Sequence, residues 1–310
     1  MTTDVAFPPG LILVLGAALI PFAAERQRLL LLLGLPLMTP AAVWWLPDGS
    51  LLQLGFLDYT LEPVKSTAEG RLFATVFSIM TLAGGLYAHR QASTLELTAA
   101  FVYAGAAIGV TFAGDLLTLF VFWEIMAFGS TVVVWSAGSV GAQRAGLRYL
   151  LVHLLGGVIL MVGIVAQVAT TGSLAFAAMT PDSLATALIL IGFLVNAGAP
   201  PLSAWIADAY PEATPSGTVF LSAFTTKTAV YALLVGFPGA EILVPIGLYM
   251  VFYGIIYALL ENDMRRILAY SIVNQVGFMV AAIGIGTPMA LNGAAAHAFA
   301  HIIYKALLLM

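Results

Sequence analysis

The chain has 310 residues, 61% of them hydrophobic and 8% charged, with a mean hydropathy of +1.03. Soluble globular proteins sit near ~45–50% apolar and ~25% charged, so these values describe a polytopic membrane protein. A net charge of −4 gives no support for nucleic-acid binding, and the lack of cysteine excludes disulfides, cysteine-ligated iron–sulfur clusters and thiolate zinc sites.

The N-terminus, MTTDVAFPPG, lacks the basic region of a cleaved signal peptide, so the first apolar segment is expected to stay as a membrane helix. At ~20 apolar residues per span, helices are expected over 9–24, 29–46, 71–89, 95–113, 116–136, 146–170, 184–199, 216–237, 241–260, 266–286 and 289–310, eleven in all. Between the second and third, the stretch from Ser50 to Thr60 is partly alternating and bounded by glycine, aspartate and proline. It reads as a short extramembrane β-hairpin.

Arginine and lysine collect in short cytoplasmic loops. With the N-terminus outside, one side receives Arg26, Arg28, Arg90, Arg144, Arg148, Arg265 and Arg266, and the other only Lys65 and Arg71. This bias supports both the helix count and an outside N-terminus.

The seventh segment breaks at Asn196-Ala-Gly-Ala-Pro200-Pro201, because proline lacks the amide proton and clashes with the carbonyl four residues back. Non-helical backbone at membrane depth survives only inside protein or beside water, so the break predicts a cavity.

Charged residues inside apolar segments are expensive and mark ion paths. Glu124 lies midway along LLTLFVFWEIMAFGSTVVVWS, and Lys227, flanked by Ser222, Thr225, Thr226 and Thr228, is its candidate partner. The alternative is a fixed pair that only locks two helices together. His297, His301 and Lys305 recur every four residues and so share one helical stripe, which fits a proton relay. Histidines bonded to nearby backbone carbonyls are the other reading; zinc is the weakest, since no HExxH and no third ligand is present. His153 either extends the polar chain from Glu124 or Lys227 or is an interfacial histidine that never titrates. Asp115 and Asp208 read as cap or loop residues, and Trp123 and Trp205 as packing or lipid-facing residues.

Four stretches together resemble a known family. They are Gly114-Asp-Leu-Leu-Thr-Leu-Phe-Val-Phe-Trp-Glu124, Ala199-Pro-Pro-Leu-Ser-Ala-Trp-Ile-Ala-Asp-Ala-Tyr-Pro211 running on to Thr226-Lys-Thr-Ala-Val-Tyr231, Asp263-Met-Arg-Arg-Ile-Leu-Ala-Tyr-Ser271, and His297-x3-His301-x3-Lys305. The chain is similar to the antiporter-like, proton-conducting subunits shared by Mrp-type sodium/proton antiporters, membrane-bound hydrogenases and respiratory complex I. The D-type Mrp subunit looks nearest.

The resemblance implies an all-α polytopic fold of about fourteen helices in two inverted five-helix repeats, each with a broken helix, and no cofactor. On that pattern residues 1–94 form three N-terminal helices with the hairpin, 95–237 the first repeat with its broken seventh helix, and 238–310 the start of a second, incomplete repeat. The chain stops inside an apolar helix, which reads as a truncation or as one half of a split subunit. The family's charged axis maps onto Glu124, Lys227 and the ladder of His297, His301 and Lys305. One departure matters: the family usually has a lysine five residues before the proline of the P-L-x-x-W motif, and here that position is Asn196. The implied function is a membrane subunit of a multisubunit antiporter in the cell inner (plasma) membrane, with other membrane subunits, lipid, protons and sodium as partners. A proton-pumping subunit of a complex I-like or hydrogenase-linked redox assembly, or a non-pumping structural subunit, are the alternatives.

Overall fold

Two interruptions, one at a pair of prolines and one without any, organise the helices. A computed structural model describes residues 6–310. The helices are α1 (Pro9–Ala17, followed by a 3-10 turn, Ile20–Phe22), α2 (Glu25–Trp45), α3 (Ala68–Ala88), α4 (Thr94–Phe112), α5 (Leu116–Trp135) and α6 (Val140–Thr171). They continue as α7 (Leu184–Ala197), the six-residue α8 (Ala204–Ala209), α9 (Pro215–Ala223), α10 (Thr225–Gly236), α11 (Leu243–Leu260), α12 (Met264–Ile285) and α13 (Pro288–Leu309). Strands β1 (Gly49–Phe56) and β2 (Tyr59–Ser66) pair antiparallel as a hairpin between α2 and α3.

Eight helical spans among the described residues are long and apolar enough to cross a membrane, counting α9 and α10 as one. Adding the shorter apolar α1 and α7, and α13 with its polar stripe, gives the eleven expected. The span made by α9 and α10 is the most buried, with 94% of its apolar window inside the protein, against 22% for α2 and for α11. It packs against α3, α4, α5, α7, α12 and α13 and is therefore the hub.

That hub is pinned at the α9 end by polar side chains rather than by lipid. Glu96 in the first turn of α4, 1% exposed, accepts hydrogen bonds from the Thr214 hydroxyl at 2.7 Å and the Ser216 hydroxyl at 2.5 Å. Arg265 donates to the Ala213 carbonyl at 2.7 Å and to the Thr218 hydroxyl, tying α12 to the same turn. Asp263 caps α12 by accepting from the Arg266 amide at 2.9 Å. The Asp-Met-Arg-Arg stretch is thus a cap plus a helix-to-helix tether. In the preceding turn, the backbone amides of Asn262 and Asp263 point at Glu261 and, with Arg266 beside it, hold its carboxyl below the usual carboxylate range.

Candidate ion-conducting axis

Asp115 caps α5, accepting from the Thr118 amide at 2.7 Å and its hydroxyl at 2.6 Å, and also from the Glu62 amide of β2 at 2.7 Å. It is a buried cap residue that joins the hairpin to the helix carrying Glu124. Glu124 is half-buried and directed at α6, where Gly157 makes the room: a Cβ at that position would overlap the Glu124 Oε1. That oxygen makes no protein hydrogen bond. Gly156, its neighbour, lies against α7, so that a Cβ there would sit 3.0 Å from Val195 and 3.5 Å from the Asn196 Oδ1.

His153 stands on the same face of α6, one turn before Gly156 and Gly157. Its Nδ1 is 2.8 Å from the Tyr149 carbonyl. A carbonyl can only accept, so Nδ1 carries the proton and Nε2 presents a lone pair. That Nε2 and both amide atoms of Asn196 are buried without a protein partner. Glu124, His153 and Asn196 therefore form one group of unsatisfied polar atoms around a single turn of α6. Such atoms are costly in a dry interior unless something hydrogen-bonds them.

α7 ends as expected, with Gly198 in the left-handed conformation (φ 79°), and the Pro200–Pro201 peptide is cis. The carbonyl of Val195, near that end, accepts from the Trp205 indole at 3.1 Å. Trp205 is thus no lipid-facing residue: it is 5% exposed and bonded across the break. Trp123 is likewise buried, 5.3 Å from Phe193 between ring centres.

The second interruption corrects the expectation of one continuous helix over 216–237. The helix breaks at Phe224 (φ −105°, ψ −68°), with no glycine or proline to announce it. Its freed backbone groups are met by side chains, as a break at membrane depth requires. The Thr225 amide donates to the Tyr103 hydroxyl at 2.8 Å, and the Ser222 carbonyl accepts from the Lys227 Nζ at 2.7 Å. The Thr225 hydroxyl in turn meets Tyr103 at 2.5 Å and Tyr149 at 3.2 Å, and Tyr149 donates to Ser130 at 2.9 Å. Because Tyr149 stacks on His153, with ring centres 4.0 Å apart, this hydroxyl network joins the Phe224 break to the α6 group.

The ion pair expected between Glu124 and Lys227 does not form. Ion pairs among the described residues join Arg71 to Asp48, Arg148 to Asp208 and Arg266 to Glu261. The cause is the break: Lys227 turns back to the Ser222 carbonyl, while Glu124 faces α6. Lys227, which is 0% exposed, instead lies on α10 where it packs against α13, the helix that carries His301 and Lys305.

On α13 the expected stripe is present, with each member in a different state. His297 is half-buried, its Nε2 2.8 Å from the Gln275 Oε1. His301 is fully buried with neither ring nitrogen bonded to protein. Lys305 is buried and donates to the Ser271 hydroxyl at 2.5 Å. The reading of these histidines as bonded to backbone carbonyls therefore does not hold on α13. Tyr103, Ser130, Tyr149 and Gln275 were missed by reasoning from sequence, and Ser271 stood only at the end of a family stretch, without its bond to Lys305. Tyr149 alone was within reach, standing four residues before His153.

The fold and site together define a helical membrane protein with titratable side chains threaded through its apolar core. The family model described as NADH:quinone oxidoreductase/Mrp antiporter, TM, matches residues 113–310. The chain belongs to that family. It is 30% identical over 230 residues to the D-type Na(+)/H(+) antiporter subunit of Alkalihalophilus pseudofirmus, covering 68% of this chain and 46% of that protein. In fold it matches a chain of the Mrp complex from Dietzia sp., with a TM-score of 0.86 at 22% identity, over 97% of this chain and 36% of that one. It also matches a chain of the membrane-bound sulfane sulfur reductase, an archaeal respiratory membrane complex, with a TM-score of 0.84 at 27% identity, over 97% of this chain and 55% of that one. The chain spans about half the length of the curated relatives it matches.

Proposed function

We propose that the chain is a membrane subunit of a multisubunit sodium/proton antiporter, lying in the plasma membrane with its N-terminus outside, and that protons move along its buried polar axis. Glu124 takes up and releases the proton, Lys227 modulates it from the neighbouring group, and His297, His301 and Lys305 carry the path onward. His153 and the Tyr103–Thr225–Tyr149 hydroxyls link the two groups.

One observation carries this reading. Buried polar atoms without protein partners include Glu124 Oε1, His153 Nε2, both Asn196 amide atoms, the Thr226 and Thr228 hydroxyls and both His301 nitrogens, and these lie on the elements that the axis needs. Water is the species small enough to satisfy them, since buried water makes two to four such bonds. Charges in low dielectric interact over distance, so moving one proton changes the affinity of the next site. Asn196 cannot titrate and is assigned to binding water beside Glu124.

The test is dissipation of an imposed pH gradient by sodium in membrane vesicles from antiporter-deficient cells that express the chain with its co-resident subunits. Sodium-dependent dissipation is expected with the wild-type chain, and its absence would contradict the proposal. A second reading, a proton-pumping subunit of a redox complex, is favoured by the likeness to the sulfane sulfur reductase chain. Iron and flavin in the purified assembly, with no sodium-dependent exchange, would select it.

A further inference from the structure

Trp205 is buried among side chains on one side and lines a cavity of about 380 Å³ on the other. The remaining walls include Arg148, Val152, Asp208, Arg266 and Tyr270, which belong to the arginine-rich end of the helices. A space of that size and polarity holds several waters. On its inner side the Trp205 ring packs edge-on against the His153 imidazole, with centres 4.6 Å apart, and against Tyr149 at 5.3 Å. One indole therefore stands between the cavity and the first unsatisfied nitrogen of the axis.

Two attachments hold the indole there. Its own N–H donates to the Val195 carbonyl at the end of α7. The helix that carries it, α8, is only six residues long and is stapled to α6 by a bidentate pair, with Arg148 Nε and Nη2 at 2.6 Å and 2.7 Å from the Asp208 carboxylate. Trp205 and Asp208 are three residues apart, so they are neighbours on the same turn. α8 packs against α6 and α12 with Trp205, Ile206, Ala207 and Ala209 buried, and the Arg148–Asp208 pair adds an ionic link from its exposed face to α6.

We propose that Trp205 is the specificity-determining residue of the arginine-side access route: its ring bars hydrated cations in the cavity from His153, and the Arg148–Asp208 pair holds that ring in place. The inference rests on the proposed conduction along the axis, but its test reads access rather than transport, so the two can fail separately.

The chain has no native cysteine, which allows a single reporter thiol. In the full membrane assembly, His153→Cys is exposed to a permanently cationic methanethiosulfonate applied from the arginine side, and labelling of this chain is followed by mass. Val152→Cys, on the cavity wall, reports that the cavity itself is open and is expected to label in every background. The His153→Cys thiol is expected to label slowly with Trp205 in place. With Trp205→Ala the rate should rise at least about tenfold, because a large-to-small change leaves a void where the ring was. With Asp208→Asn it should rise about threefold, the opening expected from losing an exposed ion pair. If Trp205→Ala is not recovered in membranes, Asp208→Asn decides. Labelling at 153 that is as fast as at 152 with the native tryptophan, or that is unchanged by the substitutions, overturns the proposal.

Discussion

Glu124→Gln is expected to leave the assembly intact and reduce sodium-driven proton movement by at least about tenfold. The substitution keeps the shape that fits against Gly157 and removes only the ability to exchange a proton. Glu124 has no ion pair among the described residues and no protein hydrogen bond at Oε1, so no structural contact is lost with the charge. A structural carboxylate would behave in the opposite way: the amide would disturb assembly and spare turnover. The measurement is the initial rate of gradient dissipation, normalised to the amount of chain in the membrane. An unchanged rate would remove Glu124 from the path.

The second large effect separates the two tasks of Lys227. Its Nζ donates to the Ser222 carbonyl at the Phe224 break, and its helix packs against α13, which carries the polar stripe. Lys227→Ala leaves that carbonyl buried and unbonded, which costs about 1–3 kcal/mol, and it also deletes the titratable amine. Lys227→Gln keeps a donor for the carbonyl but cannot take up a proton. Both variants should lose transport by at least about tenfold, whereas only Lys227→Ala should lower the thermal unfolding midpoint of the assembly. Transport restored by glutamine would make Lys227 a structural brace at the break and nothing more.

The helix order, the seventh-segment break and the polar stripe of α13 were legible because each rests on local chemistry. Membrane-length apolar runs, Pro200-Pro201 after Gly198, and a four-residue period are properties of neighbouring residues. The Phe224 break was not legible, because it depends on a tyrosine on α4 and on the lysine's own reach to a carbonyl one turn back. Placing Glu124 and Lys227 as partners failed for the same reason. Two opposite charges in apolar segments suggest a pair, but the backbone interruption turned one of them away. Trp205 was read by residue type as packing or lipid-facing, whereas its neighbours decide its setting: a cavity on one side and His153 on the other. Asp115 was legible in kind as a cap or loop residue, since a capping aspartate stands one residue before its helix, whereas the cap made by Asp263 came only with the structure.

Asn196 shows how a departure from the family pattern fits the geometry. It occupies a position where the family usually has a lysine, yet its amide is fully buried beside Gly156 with no protein partner. An apolar residue would fill that space without the cost of unsatisfied polar atoms. A buried amide there has the donor and acceptor to bind water at the α6 turn, which is what the conduction proposal requires.

Conduction along this axis requires a proton to reach Glu124 from bulk water. Difference infrared spectroscopy of the reconstituted assembly across a pH step reads that protonation. The expected result is a protonated-carboxyl C=O band that rises as pH falls, shifts in D₂O, and is absent in Glu124→Gln. A spectrum in which no carboxyl band responds to pH, or in which the band persists in Glu124→Gln, would contradict it.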